Sequence, residues 1–174
     1  TGQLPAGVLA ALITYLLAGH ELRNAIDKVQ ALCRGYPDHA ETTQAIDQAV
    51  QLADSDTEVD EAIRTLGAGW IAEEALAIAL YAALKAQTLK QAIVIAANHG
   101  GDSDSTASIA GNLMGTMHGA SAIPPKWLVH LELRDVIAEL ADDLLECPRW
   151  PLHDFPEPDE VQEKERICAK YPGC

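Results

Sequence analysis

The residues whose types and spacing could do chemistry sit in one short run, Asn98-His99-Gly100-Gly101-Asp102-Ser103-Asp104-Ser105-Thr106. Two carboxylates two positions apart, with hydroxyls between and after them, form a compact set of hard oxygen donors. Such donors suit Mg²⁺, Mn²⁺ or Ca²⁺ and not thiophilic metals. The paired glycines let the backbone turn tightly, and a helix beginning near Ser105 offers its N-terminus to anionic groups. The same residues also have a plain structural use. Asp and Ser are ordinary N-caps, and a Gly-Gly loop entering a helix needs no ion. Spacing alone leaves these two readings level.

Helices must position this run from both sides. Residues 7–18 are apolar nearly all round, which suits a buried helix, and Gly19 is a stop signal. Residues 21–33, 39–53 and 58–66 repeat an amphipathic helical rhythm. Gly67-Ala68-Gly69 is a flexible loop before a strong helix over 70–86, and Thr88 caps a further helix over 89–97. From Thr106 to Ser121 Ala107, Gly111, Gly115 and Gly119 recur every four residues, leaving one helix face almost bare and able to approach a backbone or ligand closely. Pro124 and Pro125 end that helix. A long amphipathic helix is expected over 126–146, and after Pro148 only 159–170 has helical character. The run Ala92-Ile93-Val94-Ile95-Ala96-Ala97 is ambiguous between strand and helix. The fold class read from this pattern is all-α, stabilised by mutual packing of short helices.

Composition narrows the partners. The chain has 174 residues, 48% of them hydrophobic and 22% charged, within the range of one folded domain. Twelve Lys+Arg against 26 Asp+Glu give a net charge of −14. Nucleic acid and anionic membrane surfaces, which need a basic face, are therefore not expected partners. No apolar run reaches the roughly 18–20 residues of a membrane span, and no basic stretch followed by an apolar run is visible at the start, so a secretory signal is not expected. Cys33, Cys147, Cys168 and Cys174 lack zinc spacing or a CxxC pair. Reduced thiols in the cytoplasm are expected, with a Cys168–Cys174 bridge left open.

An EF-hand starting at Asp102 requires Gly at 107 and Glu at 113, where Ala107 and Leu113 stand. The DxDxT shape of residues 102–106 resembles the nucleophile loop of haloacid-dehalogenase-type phosphatases, which requires a parallel sheet. A longer resemblance is to the ADP-ribosylglycohydrolase family. It is carried by Gly100-Gly101-Asp102-Ser103-Asp104-Ser105 running on through Gly111, Gly115 and Gly119. Gly67-Ala68-Gly69-Trp70-Ile71-Ala72-Glu73-Glu74-Ala75-Leu76 and the opening Thr1-Gly2-Gln3-Leu4-Pro5-Ala6-Gly7 also carry it. The likeness spans 1–146, as the C-terminal part of the family domain, and leaves 147–174 as a Pro-rich charged tail.

The resemblance implies an all-α helical bundle that hydrolyses the glycosidic bond of ADP-ribose conjugates at a binuclear Mg²⁺ or Mn²⁺ site. Asp102, Asp104 and Ser105 would be metal ligands, Asp104 the bridging one, with Ser105 where Thr is commoner. Apart from the resemblance, Gly69 and Trp70 at the mouth of the glycine loop are read as substrate-facing, with a Trp at an apolar helix start being more usually a core residue. The family's acid/base, its Thr/Ser-Asp-Asp ligands and its phosphate loop have no counterpart here, so a missing N-terminal segment or complementary chain is the expected partner, and the chain alone is expected to be inactive. Mg²⁺ takes about six oxygens and this motif offers about three. A non-catalytic helical partner or degenerate binding half is the alternative. Glu73 and Glu74, roughly 100° apart on a helix, read as solvated or helix-dipole residues.

Overall fold

The computed structural model describes residues 2–171, which contain ten α-helices and no β-strand. They are α1 (Gln3–Leu17), α2 (Leu22–Cys33), α3 (Ala40–Ala53), α4 (Val59–Leu66), α5 (Ala72–Lys85), α6 (Leu89–Ala97), α7 (Ser103–His118), α8 (Pro125–Leu128), α9 (Arg134–Glu146) and α10 (Val161–Lys170). The fold is all-α. The ambiguous run 92–97 is helical, and the sheet that a phosphatase-type nucleophile loop requires is absent among the described residues. No helix among them is long and apolar enough to cross a membrane.

Packing divides the chain into two compact units after Pro125. In the first, α5 is the central helix. Every residue from Ala75 to Ala83 is buried, as a helix apolar on all sides must be. α3, α4, α6, α7 and α1 pack around it. Ala79 and Ala82 of α5 meet Ala96 of α6 and Ala110 of α7 in a fully buried cluster. Methyl-sized side chains let helix axes approach to roughly 8 Å. That close approach brings the C-terminus of α6 and the N-terminus of α7 against the loop before α5.

α1 does not take the wholly buried place expected of residues 7–18. It buries one row, Pro5, Val8, Leu12 and Leu16, and leaves Leu17 73% exposed. α5, with two glutamates in its first turn, occupies the centre instead. The bare stripe on α7 is close-packed only at its start. A Cβ on Gly111 would meet Ile93 Cδ1 at 3.7 Å, and one on Gly115 or Gly119 would meet nothing within 4 Å.

In the second unit the helix expected over 126–146 is broken. α8 stops at Leu128, and Leu133 adopts φ 56° ahead of α9. Lys170 of α10 donates to Glu139 Oε1 at 2.6 Å and also to Asp143 of α9, whose carboxylate accepts the Tyr171 hydroxyl at 2.5 Å. Trp150 stacks on Tyr171 with ring centroids 5.6 Å apart. Cys33 and Cys147 are free thiols. The Cys168–Cys174 alternative involves a residue outside those described.

Candidate functional site

Two loops make the site, and their backbones touch. The loop before α5 carries Gly67 at φ 119° and Gly69 at φ 79°, conformations that side-chain-bearing residues resist. Glu74, in the first turn of α5, reaches back over it and accepts the N–H groups of Ala68 and Gly69, both at 3.0 Å. This carboxylate satisfies loop donors that precede the helix. Glu74 is therefore a clamp rather than the solvated or dipole residue expected.

The loop before α7 is seated on the first one. Asp102 N–H donates to the Ala68 carbonyl at 2.8 Å. A Cβ on Gly101 would lie 1.8 Å from that carbonyl oxygen, so no other residue fits without moving a backbone. His99 Nδ1 accepts from Gly101 N–H at 3.2 Å, which places the neutral ring's hydrogen on Nε2, 2.9 Å from Thr106 Oγ1. The fully buried Thr106 hydroxyl in turn donates to the Ala96 carbonyl at 2.7 Å. One chain of hydrogen bonds thus ties the end of α6, the glycine loop and the first turn of α7.

On that platform the helix starts earlier than expected, at Ser103, so Asp104 and Ser105 lie in its first turn and Asp102 takes the N-cap position. Asp102 makes no side-chain cap hydrogen bond there. The Asp104 carboxyl is held below the usual carboxylate range, first by a hydrogen bond from Asp102 and then by its own N–H, with burial opposing and the Ser105 N–H adding least. Asp104 is exposed, and Asp102 and Ser105 are half-buried. Neighbouring carboxylates share a proton or a cation, and the first-turn N–H groups favour negative charge. The donor set is all hard oxygen, which fits Mg²⁺ or Mn²⁺. Among the described residues no group of three or more His, Cys, Asp or Glu side chains is placed to hold a metal.

The two other expected site residues fall differently. Gly69 is buried, its N–H is taken by Glu74, and a Cβ there would sit 2.9 Å from Thr106 Cγ2. Trp70 is 71% exposed beside it. The residues not singled out as site builders are Glu74 and Thr106. Their sequence signal is a glutamate in the first turn after Gly-x-Gly, and a Thr seven residues after His.

The arrangement is an all-helical bundle that presents a pair of carboxylates at one helix N-terminus, braced by two glycine loops. The ADP-ribosylglycohydrolase family model matches residues 1–151, and the chain belongs to that family. It is 36% identical over 73 residues to the ADP-ribosylarginine hydrolase Tri1 of Pseudomonas putida (strain GB-1), covering 42% of this chain and 20% of that protein. The Serratia proteamaculans (strain 568) protein of the same name is 37% identical over 71 residues, covering 41% of this chain and 19% of that one. An uncharacterized Archaeoglobus fulgidus protein is 34% identical over 92 residues, 53% of this chain and 30% of that one. The matched segments thus span less than a third of these relatives' lengths. No solved structure matches the chain.

Proposed function

We propose that this chain supplies the Asp102–Asp104–Ser105 part of a divalent-cation site in an ADP-ribosyl hydrolase, with ADP-ribosylarginine as the substrate to test first. The observation that carries this is the behaviour of Asp102: it holds the N-cap position yet leaves the cap bond unmade, and it is the first cause of the lowered Asp104 carboxyl. A residue present only as a cap would use its side chain on the helix N–H groups. Family membership and the names of the two Tri1 relatives supply the reaction class.

Asp102, Asp104 and the Ser105 hydroxyl would hold Mg²⁺ or Mn²⁺, and a cation so placed supplies Lewis-acid polarisation of a sugar oxygen or an activated water. The protein's own part is positional. Glu74, His99 and Thr106 keep the loop in one shape, and the α7 N-terminus sets the local field. The remaining ligands, the second metal of a binuclear site and the acid/base belong to a complementary N-terminal segment.

Turnover of ADP-ribosylarginine is expected when that family segment is supplied, and none from the 174-residue chain alone. In the combined protein Asp104→Asn should lower turnover roughly 10–100-fold, while Ser103→Ala leaves it close to unchanged. Robust hydrolysis by the chain alone would overturn the shared site and move catalysis to carboxylates such as Glu73, Glu74 or Glu132. A non-catalytic helical partner is the second reading, favoured by the absence of a third His, Cys, Asp or Glu ligand among the described residues. It would be established by a combined protein that folds, binds ADP-ribose and does not turn over.

A further inference from the structure

His99 spends both ring nitrogens on its neighbours. Nδ1 accepts the Gly101 N–H at 3.2 Å, and Nε2 stands 2.9 Å from Thr106 Oγ1. Neither role can be exchanged. A backbone N–H only donates, so Nδ1 carries no hydrogen. The Thr106 side chain is fully buried and gives its single hydroxyl hydrogen to the Ala96 carbonyl at 2.7 Å. Its oxygen therefore takes the hydrogen of Nε2. This seat admits one protonation state and one tautomer of the ring.

A second proton can go only to Nδ1. There it would point at the Gly101 N–H, donor against donor, and the amide would lose its acceptor. Gly101 is already pressed against the Ala68 backbone, where an added Cβ would lie 1.8 Å from the carbonyl oxygen. The relief open to the chain is rotation of the Gly100–Gly101 peptide, which two glycines permit. Gly100 is exposed, with nothing within 4 Å of an added Cβ, so the turn has room to move. Asp102 N–H donates to the same Ala68 carbonyl at 2.8 Å, and turning that peptide loosens the seat of Asp102 as well.

The ring is half-buried, so solvent protons reach it. Three elements meet there. The start of α7 brings Asp102 and Asp104, the start of α5 brings Glu74, and the last two turns of α6 carry no charge. All the charged groups are thus carboxylates, which stabilise an imidazolium once it has left its seat.

We propose that His99 is an acid-operated latch on the loop that carries Asp102. Neutral, it holds the Gly100–Gly101 turn against Ala68; protonated, it releases the turn and frees Asp102. Imidazoles ordinarily change charge between about pH 5 and 8, above the range in which carboxylates lose theirs. The latch therefore opens in mild acid while the Asp102–Asp104 pair is still charged. Loss of a bound cation on opening rests on the assignment of Asp102, Asp104 and Ser105 as its ligands. Release of the loop does not.

The test is a titration of the full 174-residue chain, ¹⁵N-labelled, from about pH 8 to about pH 5. At neutral pH the His99 ring nitrogens should show the Nε2–H tautomer alone. As the ring gains its second proton, the Gly101 and Asp102 amide signals should move in step with it. Mn²⁺ should broaden Gly101 to Thr106 at neutral pH, and its apparent affinity should fall at least roughly tenfold over the same titration, because only the latched fraction binds. His99→Asn offers Gly101 a carbonyl acceptor near the Nδ1 position and does not titrate, so its loop signals and Mn²⁺ affinity should stay level. The native titration decides the matter alone if that variant does not fold. Titration of the ring with Gly101 and Asp102 unmoved would overturn the latch. So would an Nδ1–H tautomer at neutral pH, a ring still neutral at about pH 5, or loop signals that move equally in His99→Asn. Coupled loop movement without Mn²⁺ broadening at any pH would uphold the latch and overturn the cation site instead.

Discussion

Gly101 and Gly115 sit one on each side of the Asp102–Asp104 pair and should respond to alanine in opposite directions. At Gly101 the new methyl would collide with the Ala68 carbonyl. A clash with backbone cannot be relieved by a side-chain rotation, so Gly101→Ala should cost about 3 kcal/mol, the upper part of the range for overpacked sites. At Gly115, in the last turn of α7 and facing open space, the same change should stabilise by about 0.5 kcal/mol through helix propensity. Urea unfolding of the two variants checks both signs. Thr106→Val should cost about 1–3 kcal/mol, because it leaves the Ala96 carbonyl and His99 Nε2 without their shared partner. Thr106→Ser should lose much less. That Asp102, Asp104 and Ser105 gather oxygen donors at a helix start was legible in the sequence, because donor type and spacing are local properties. The Glu74 clamp was not, because its partners are backbone N–H groups whose direction depends on Gly67 and Gly69 at positive φ. The unmade Asp102 cap was likewise invisible: spacing marks the N-cap position but not where its side chain turns.

Among the elements, most helices could be read from apolar periodicity and caps. Thr88 accepts from Gln91 N–H as a cap should, and Gly19 follows the end of α1. The break at 129–133 escaped because neither Gly nor Pro marks it, and the left-handed residue is a leucine. The burial of α1 was overestimated for a different reason: an apolar composition states what a helix can bury, not what is available to cover it. The pairing of α9 with α10 carries its own pH dependence. Asp143 is held below the ordinary carboxylate range first by the Lys170 hydrogen bond and then by Tyr171. Lys170 is held above its ordinary range by Asp143 and then Glu139. A depressed carboxylate contributes fully above its ordinary value of 3.8, and the contribution fades as pH falls through the lowered one. A raised ammonium contributes fully below its ordinary value of 10.5 and is lost as pH climbs through the raised one. The pairing should therefore hold throughout the neutral range and loosen only at strongly acid or strongly alkaline pH. The indole N–H resonance of Trp150, stacked on Tyr171, reports it. Loosening near neutrality would contradict that placement of Lys170.

At the scale of the whole molecule, the excess of 26 acidic over 12 basic residues gives any divalent cation many weak places to settle. A simple binding isotherm is therefore a poor witness for one site. The family match covers residues 1–151 while the matched segments span at most 30% of the curated relatives, so a partial ligand set and weak binding are what the chain alone should show. Location is the discriminating quantity. Substoichiometric Mn²⁺ added to the ¹⁵N-labelled chain broadens amides close to wherever the ion resides. Broadening concentrated at Gly101 to Thr106, lost in Asp104→Asn and kept in Ser103→Ala, is the expected result. Broadening spread over the acidic surface, or unchanged when Asp102 and Asp104 are both made Asn, would contradict a cation site at the start of α7.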